Sequence, residues 1–429
     1  MKNAYEILKE RGFIEQVTDE ALISGLFKNG PVTCYIGFDP TASSLHIGSL
    51  VPIMALAHMQ KSDNKPIALV GGGTGLIGDP SGKTEMRQVL TEEQIQKNAS
   101  CIGKQLSRYL DFSGGSKALL LNNAEWLTKV KYIEFLRDIG RHFSVNRMLA
   151  AESYKMRLEK GLNFIEFNYM ILQAYDYLYL FKKYGCILQM GGNDQWGNML
   201  AGTELIRKVT AKDAHAVTFP LITTSHGHKM GKTERGTIWL EGNLTSPYEY
   251  YQYWVNCDDA DVERFLKLFT FLPLDEIVVV KKLVDAQLNM AKTVLAYEAT
   301  KIAHGVEAAQ AAWHASAEAF HSRSVDSELF PSSDIPRNDV HNDISAIPRY
   351  RISKNDLERG LLITSTCAKA GLTQSMSEAK RLIEQGGIYV GNRQVKTVDE
   401  KILVSDFEGT KELRIRKGKK KYLVIELGN

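Results

Sequence analysis

The chain has 429 residues, enough for about three domains that each bury their own core. Its 53 Lys and Arg nearly balance its 50 Asp and Glu, so the net charge of +3 identifies no partner. The N-terminus lacks the apolar core of a signal peptide, and no run reaches the roughly 18 apolar residues of a membrane span. The five cysteines are dispersed along the chain. These features exclude a disulfide scaffold and a membrane partner, and they predict a cytoplasmic protein.

The N-terminal region indicates the start of a βαβ unit. Residues 31–38 (PVTCYIGF) predict a buried strand that ends in a turn. A helix is predicted over 47–60 and a second buried strand over 66–70 (PIALV). A strand, helix and strand in this order favour an α/β fold with a parallel sheet.

Three further stretches complete the coarse organisation. Helical stretches and short apolar runs alternate over 120–220, and residues 245–320 are predicted to be helical throughout. Residues 321–350 are rich in Ser, Asp, Asn and Pro, which is typical of a linker. A last small unit follows it.

A glycine-rich stretch mimics two nucleotide motifs. Residues 73–78 (GTGLIG) fit the dinucleotide pattern, but Asp79 and Pro80 follow where that pattern must open a helix. The end of a P-loop is also suggested, yet Ile77 stands where its glycine is required. The glycines therefore indicate either a plain turn or a close approach of backbone to another ligand.

Polar residues gather at other predicted strand ends. His46 and Gly48 lie where a helix begins, and such a terminus suits phosphate. Residues 191–198 (GGNDQWGN) follow a strand and suit sugar hydroxyls and an amine. Residues 228–233 (HKMGKT) form a basic turn that is able to hold a polyphosphate. For each, an ordinary structural role remains the alternative.

One predicted helix carries a polar stripe in apolar surroundings. Tyr169, Gln173 and Asp176 stand at positions i, i+4 and i+7, so they share one helix face. Polar groups buried in an apolar segment are costly unless they bind something.

These stretches together resemble the bacterial-type tyrosyl-tRNA synthetases, a family of class I aminoacyl-tRNA synthetases, from Tyr35 to the C-terminus. Five blocks match the family in order. They are 35–48 (YIGFDPTASSLHIG), 68–83 (ALVGGGTGLIGDPSGK), 135–146 (FLRDIGRHFSVN), 189–198 and 228–233.

The resemblance implies a fold and its domain bounds. A Rossmann-like parallel-sheet catalytic domain is expected over 1–222, with an inserted segment at about 115–165 where a dimer interface is expected. The mobile lysine loop and an α-helical domain are expected over 223–320, and a linker over 321–350. A small α+β RNA-binding domain of ribosomal-protein type is expected over 351–429.

The resemblance also implies the reaction. L-Tyrosine is activated by ATP, with Mg²⁺ as part of the substrate complex, to tyrosyl-adenylate and pyrophosphate. The tyrosyl group then passes to the 3′-terminal adenosine of tRNA(Tyr). A homodimer is implied, and no tightly bound metal held by protein ligands.

Roles follow position by position from the resemblance. The phenol hydroxyl of tyrosine is expected at Tyr35 and Asp176, and its amino group at Asp79, Tyr169 and Gln173, with Gln195 near the carboxylate. The expected ATP and adenylate residues are Gly37, Asp39, His46, Gly48, Gly192, Asp194 and Lys232. The expected catalytic residues are Thr41, His46, Lys83, Arg87, Lys229, Lys232 and Thr233.

Two departures from the family pattern concern these roles. Ser49 replaces the usual second histidine of the first motif, and it keeps only a neutral hydroxyl donor. The second motif reads KMGKT where the consensus is KMSKS, and both lysines are retained.

The C-terminal unit favours RNA. Residues 376–395 resemble the small RNA-binding fold of a ribosomal protein and place Lys380 and Arg381 on one helix side. Residues 411–421 hold seven basic residues and one acid, a pattern that suits a phosphate backbone. The alternative is a solvated hairpin tip.

Three rival functions remain open on sequence grounds. Ser49 points to a catalytically weak paralogue that binds RNA. An adenylate-forming enzyme for a tyrosine analogue is the second rival. A dehydrogenase is the third, and Pro80 argues against it.

Overall fold

In the computed structural model the chain forms two compact units. The first comprises Met1–Thr233, Thr237–Thr245 and Cys257–Val284, and the second comprises Glu234–Gly236, Ser246–Asn256 and Asp285–Asn429. The structure describes residues 2–81, 90–113, 118–150, 154, 158, 161–225, 227, 230–233, 236–320, 325–337, 347–391, 393–407, 409–418 and 421–428.

The first unit is built on a six-stranded sheet with strand order β1-β6-β5-β2-β3-β4. Only β1 is antiparallel to its neighbour. The strands are β1 Gln16–Val17, β2 Thr33–Phe38, β3 Lys65–Val70, β4 Leu119–Asn122, β5 Leu188–Gly192 and β6 His215–Phe219. Because the chain runs from β2 to β4 on one side and returns to β5 on the other, the order reverses between β2 and β5. In such sheets this reversal creates a ligand crevice at the carboxyl ends of the strands.

Helices cover the sheet of this unit. They are α1 Ala4–Arg11, α2 Glu20–Leu26, α3 Leu50–Lys61, α4 Glu92–Leu106, α5 Ala124–Leu127, α6 Tyr132–Asp138, α7 Val145–Leu149, α8 Phe164–Tyr184, α9 Trp196–Thr210, α11 Val262–Phe269 and α12 Leu274–Ile277. Short 3₁₀ turns precede α3 and α9. Helix α3 buries residues on all sides, including Ile53 and Leu56, so it is a core helix.

Helix α8 has its ends set by local sequence. Asn163 and Glu166 form a reciprocal capping box at its start, and Gly185 ends it in the left-handed conformation at φ 64°. The helix is therefore continuous over its 21 residues, so spacing along it determines which residues share a face. As its spacing predicts, Tyr169, Gln173 and Asp176 lie along one cavity.

The second unit combines three helices with a small α+β domain. The helices are α10 Pro247–Val255, α13 Asp285–His304 and α14 Val306–Phe320. The domain has strand order β11-β10-β12-β13-β9 and helices α15 Lys354–Glu358, α16 Ile363–Lys369 and α17 Met376–Glu384. Its strands are β9 Arg349–Ile352, β10 Ile388–Val390, β11 Arg393–Gln394, β12 Glu412–Lys417 and β13 Lys421–Leu427. The short strands β7 Lys232–Thr233 and β8 Gly236–Thr237 form a separate two-stranded sheet.

The sequence-based element bounds are close for strands and less so for helices. The predicted helix over 47–60 begins with a 3₁₀ turn at Ile47–Ser49, and α3 follows it. The stretch 245–320 is not helical throughout, because irregular backbone or 3₁₀ turns separate its helices. Pro273, for example, lies between α11 and α12 and cannot continue a helix.

Part of the predicted linker is packed. Val325, Phe330 and Ile335 are buried, and the hydroxyl of Ser333 donates a 2.6 Å hydrogen bond to Glu298 on α13. A Ser- and Pro-rich composition predicts irregular backbone, and residues 325–337 indeed contain no helix or strand. Composition alone did not reveal that this backbone has buried anchors.

Candidate active site

A cavity of about 440 Å³ lies at the carboxyl ends of β2 and β5, where the strand order reverses. Every predicted site residue whose side chain the structure describes lines it. These residues are Tyr35, Gly37, Asp39, Thr41, His46, Gly48, Asp79, Tyr169, Gln173, Asp176, Gly192, Asp194 and Gln195. The sheet therefore gathers residues that are 160 positions apart in sequence.

The remaining predicted residues cannot be placed in this way. Lys83, Arg87 and Lys229 lie outside the described residues. Lys232 and Thr233 are described only by their backbone, as strand β7. Their predicted roles stay predictions.

A buried carboxylate and a buried hydroxyl mark one end of the cavity. Asp176 accepts a 2.7 Å hydrogen bond from the indole of Trp126 and a 2.8 Å bond from the amide of Asn123. Tyr35 packs its ring against Tyr177, and within the described residues its buried hydroxyl has no hydrogen-bond partner. An unpartnered buried hydroxyl is costly, so this end of the cavity is built to receive another polar group.

Burial sets the protonation of these two groups. It raises the pKa of Asp176 to about 7, although the hydrogen bonds from Asn123 and Trp126 oppose that rise. Burial, with the nearby Asp176 charge, raises the pKa of Tyr35 well above its ordinary value. At neutral pH Tyr35 is therefore a hydroxyl donor, and Asp176 lies close to its titration point.

A hydrogen-bond chain connects that carboxylate with the middle of the cavity. Asn123 donates to the hydroxyl of Thr74 over 3.0 Å, and Thr74 donates to Asp39 over 3.3 Å. The hydroxyl of Tyr169 also donates to Asp39, at 3.2 Å from Oδ2. Asp39 and Tyr169 thus hold each other at the wall of the cavity.

Amide side chains are oriented beside Asp79. Gln195 donates a 2.7 Å hydrogen bond to Oδ2 of Asp79. Asn198 donates to the side-chain oxygens of both Gln173 and Gln195, each at 3.1 Å. The two glutamines that the sequence predicts are therefore held by a third amide, which is buried.

The histidine motif occupies the opposite end. Gly48 donates its backbone N–H to Nδ1 of His46 over 3.0 Å. Because Nδ1 accepts this bond, the neutral imidazole carries its proton on Nε2 and is a donor there. Ser49 also lines the cavity, at the start of α3, and its side chain makes no capping hydrogen bond.

The segment that carries the lysine motif lies against this histidine. A Cβ on Gly231 would come within 2.9 Å of Nδ1 of His46 and 3.1 Å of the backbone nitrogen of Gly48. Gly231 also has φ +93°, a conformation that favours glycine. Further along, Trp239 forms an isolated antiparallel bridge with His46. The glycine of the KMGKT variant is thus required by close packing.

Several residues of this site were not predicted from the sequence. Asn123 and Trp126 contact the predicted Asp176 through side-chain hydrogen bonds between distant segments, and Asn198 bonds both the distant Gln173 and the neighbouring Gln195. Trp239 reaches His46 through an antiparallel bridge, and no spacing rule connects them. Asn198 did have a signal, because it falls in the block 191–198 that the sequence singled out.

No metal site of protein ligands is found within the part of the chain that the structure describes, since no three His, Cys, Asp or Glu side chains are grouped to hold one. Among the described residues, no helix is both long and apolar enough to cross a bilayer. The structure describes all five cysteines, and they form no disulfide with one another.

The basic stretch near the C-terminus is largely paired in its described part. Arg414 pairs with Glu318, and Lys417, which is only 9% exposed, pairs with Glu378. Arg416 lies over the ring of Tyr389 at 3.9 Å. Arg414 and Lys417 therefore connect β12 to neighbouring helices, and RNA binding by the stretch 411–421 stays a prediction. Lys380 and Arg381 on α17 are exposed.

Two sequence profiles match the chain. Residues 28–321 match the class I tRNA synthetases of the tryptophan and tyrosine group. Residues 339–425 match the C-terminal domain of tyrosine–tRNA ligases.

Proteins that are similar to this chain over nearly their whole length are named tyrosine–tRNA ligases. A tyrosine–tRNA ligase of Syntrophus aciditrophicus is 61% identical over 427 residues, covering 100% of this chain and 99% of the relative. One of Desulfosudis oleivorans is 55% identical and covers 98% of both chains. A truncated mitochondrial tyrosyl-tRNA synthetase of Aspergillus nidulans superposes with a TM-score of 0.66 at 33% identity, covering 73% of this chain and 93% of that chain.

Proposed function

Because the chain belongs to the class I tRNA synthetases of the tryptophan and tyrosine group, we propose that it activates L-tyrosine with MgATP and transfers the tyrosyl group to tRNA(Tyr). One observation carries the choice of amino acid. The buried hydroxyl of Tyr35 and the carboxylate of Asp176 line the same end of the cavity. A phenol hydroxyl placed there accepts from Tyr35 and donates to Asp176, so both groups are satisfied.

The amino group of tyrosine is held by groups that accept hydrogen bonds. Asp79, the hydroxyl of Tyr169 and the amide oxygen of Gln173 line the cavity next to the phenol end. Gln195, which already donates to Asp79, borders the carboxylate region. An ammonium group suits a buried carboxylate, since a buried charge is stable only when paired.

ATP is placed between the histidine motif and the end of β5. In this proposal a phosphate oxygen accepts from Nε2 of His46, and Thr41 lines the same cavity. Gly37 is open toward the cavity, and Gly48, Gly192 and Asp194 line the space for base and ribose, with Asp39 alongside. Mg²⁺ enters with ATP as part of the substrate.

The chemistry needs alignment and charge stabilisation. A carboxylate oxygen of tyrosine attacks the α-phosphorus, the bond to the bridging oxygen breaks, and pyrophosphate leaves. Lys83, Arg87, Lys229, Lys232 and Thr233 are the proposed groups that stabilise the charge on the phosphates. In the second step the 2′-hydroxyl of the terminal adenosine attacks the carbonyl carbon, and AMP leaves.

A second cavity lies next to the ATP cavity, and it supports the placement of the 3′ end of the tRNA. It has a volume of about 680 Å³ and shares Asn193 and Asp194 with the ATP cavity. Trp196 contributes an aromatic surface to its lining, and Arg147 and Lys208 contribute positive charge that Glu204, also in the lining, partly neutralises. These are the groups that bind single-stranded nucleic acid, so we place the 3′ end of the tRNA there. The exposed Lys380 and Arg381 are proposed to contact its backbone.

A homodimer in the cytoplasm is also part of the proposal. Apolar side chains near the inserted segment are exposed, notably Tyr132 at 61%, Ile133 at 73% and Phe164 at 69%. Several large apolar side chains exposed in one inserted segment favour a protein interface. The lack of a disulfide among the five described cysteines favours a reducing compartment.

Amino-acid-dependent ATP–pyrophosphate exchange tests the proposal. Each standard amino acid is tried with purified protein, and exchange with tyrosine alone is expected. Exchange only with a ring-substituted tyrosine would identify an enzyme for an analogue. No exchange from a folded protein that binds tRNA would favour the weak paralogue, with Ser49 as its mark.

A further inference from the structure

A cluster of charged side chains holds the start of the segment that carries the lysine motif. The backbone N–H of Ser225 donates to Oδ2 of Asp261 over 2.9 Å, and its hydroxyl donates to Asp258 over 3.2 Å. Arg264 donates to the carbonyl of Thr223 over 2.5 Å and to Oδ1 of Asp261 over 2.6 Å. We call Asp258, Asp261 and Arg264 the loop anchor.

The loop anchor is well defined in its geometry. Asp261 is only 3% exposed, yet both of its carboxylate oxygens accept hydrogen bonds. Charge-assisted bonds to a buried carboxylate are among the strong ones, and removing one partner leaves a costly unpaired group. Thr223 and Ser225 are therefore fixed to the start of α11 through their backbone.

The other end of the same segment is fixed to the histidine motif. Ile47 donates to the carbonyl of Ile238 over 3.1 Å, and Leu240 donates to the carbonyl of Leu45 over 2.9 Å. The chain between the two ends includes the lysines at 229 and 232.

Next to the loop anchor, the chain returns to the ATP cavity. Leu221 and Ile222 line that cavity directly before Thr223. The carbonyl of Ile222 accepts a 3.0 Å bond from Met230, and Gly231 then packs on His46. Only a few residues of backbone therefore separate the loop anchor from the phosphate end of the cavity.

We propose that Asp261 and Arg264 are positioning residues for tyrosine activation. They act through the backbone of 223–225 on the segment that carries Lys229 and Lys232. This role rests on the proposed function. It separates adenylate formation from tyrosine binding, because Asp261 and Arg264 bond Thr223 and Ser225, whereas Tyr35 and Asp176 form the phenol end. Loss of the loop anchor lowers the rate of adenylate formation and leaves tyrosine binding unchanged.

The experiment compares Arg264→Gln with Lys267→Gln in the full-length protein. Both remove a cation from α11, but Lys267 pairs with Glu263 and, among the described residues, makes no bond to the segment. Tyrosine affinity is measured by fluorescence titration, adenylate formation by stopped flow and by pyrophosphate exchange, and protection of 221–225 by hydrogen exchange.

For Arg264→Gln we expect adenylate formation to fall on the order of tenfold to a hundredfold, as for one lost charge-assisted bond. Tyrosine affinity stays within twofold, and the amides of 221–225 lose protection. Lys267→Gln changes none of these. Arg264→Lys keeps the charge beside Asp261 but lacks the planar fork, so it loses activity in the same direction.

Two results overturn this role separately from the proposed function. If the wild type exchanges and Arg264→Gln matches Lys267→Gln, the loop anchor has no positioning role. A parallel loss of tyrosine affinity and activation would also reject it, because general destabilisation then explains the effect. If the wild type shows no exchange with any amino acid, the proposed function fails and this role fails with it. Should Arg264→Gln not fold, wild-type rates in Arg264→Lys reject the role.

Discussion

The indole N–H of Trp126 donates a 2.7 Å hydrogen bond to the buried carboxylate of Asp176. This donor and Asn123 lower the pKa of Asp176, but burial outweighs them and the pKa stands near 7. The group that we assign to the phenol of tyrosine therefore titrates at neutral pH. Its ionised form is the stronger acceptor, because charge-assisted hydrogen bonds are roughly twice as strong as neutral ones.

Tyrosine affinity should consequently depend on pH. We expect the dissociation constant for tyrosine to rise roughly tenfold from pH 8 to pH 6. The reason is that only about a tenth of Asp176 is ionised one pH unit below its pKa. Titration of tyrosine binding over this range measures the effect. Asp176→Asn should bind weakly with a flat profile, and Trp126→Phe should move the transition to higher pH. A flat wild-type profile would contradict the assignment.

Tyr35→Phe should separate stability from substrate binding. The Tyr35 hydroxyl is buried without a partner among the described residues, and such a group costs about 1–3 kcal/mol. Without tyrosine, the variant should equal or exceed the wild type in free energy of unfolding. Tyrosine binding should weaken by about 0.5–1.5 kcal/mol through the lost hydrogen bond. Denaturant unfolding with and without tyrosine measures both, and a less stable variant with unchanged affinity would reject this reading.

The fold class and the family predicted from the sequence are confirmed by the parallel sheet and by the matching family profiles. Buried strands such as β2 and β3 are detectable because apolar runs are short and end in turns. Strand ends and helix spacing predicted part of the cavity lining, namely the block 191–198 and the stripe of Tyr169, Gln173 and Asp176. Tyr35 and Asp39 were assigned from the family resemblance, because no local pattern distinguishes them from ordinary strand and turn residues.

Contacts between distant side chains could not be predicted from such local sequence patterns. The bond from Asn198 to Gln173 depends on how α8 packs on α9, and no local pattern encodes that packing. The charge run at 411–421 shows the same limit. A run of basic residues gives no information about acids elsewhere, and Glu318 and Glu378 neutralise two of its members in the fold.

Ser49 offers a test of the departure from the family pattern. It lines the cavity near His46, and its side chain makes no capping bond, so a larger side chain loses no helix cap there. We expect Ser49→His to fold and to change the rate of ATP turnover, since an imidazole adds a phosphate donor. Pre-steady-state adenylate formation is the measurement. If Ser49→His and Ser49→Ala both leave that rate unchanged, position 49 has no role.

His58 should make the fold sensitive to acid. Burial, and then the charges of Arg11 and Lys61, lower its pKa from 6.5 to about 3. The unfolded chain therefore binds a proton below pH 6.5 that the folded chain rejects. The resulting stability is fully present above pH 6.5 and is lost as pH falls toward 3, by roughly 1.4 kcal/mol per unit.

The variant His58→Phe isolates this effect. Phe13 and Phe271 flank the His58 ring edge-on, so an aromatic replacement keeps the contacts. Between pH 6.5 and pH 5 the wild type should lose about 2 kcal/mol more than the variant. Urea unfolding at both values measures the difference, and equal losses would show that His58 charges freely in the folded protein.

Lys380 and Arg381 should affect tRNA alone. Both are exposed on α17, outside the unit that holds the cavity, whereas Lys417 is buried against Glu378. We expect the double variant Lys380→Ala/Arg381→Ala to lower kcat/KM for tRNA and to reduce the salt dependence of tRNA binding by about one unit of slope per lost phosphate contact. Pyrophosphate exchange should stay unchanged. Lys417→Ala should instead lower the free energy of unfolding, because it leaves the Glu378 carboxylate without its cation. Equal salt slopes in the wild type and the double variant would remove α17 from the RNA interface.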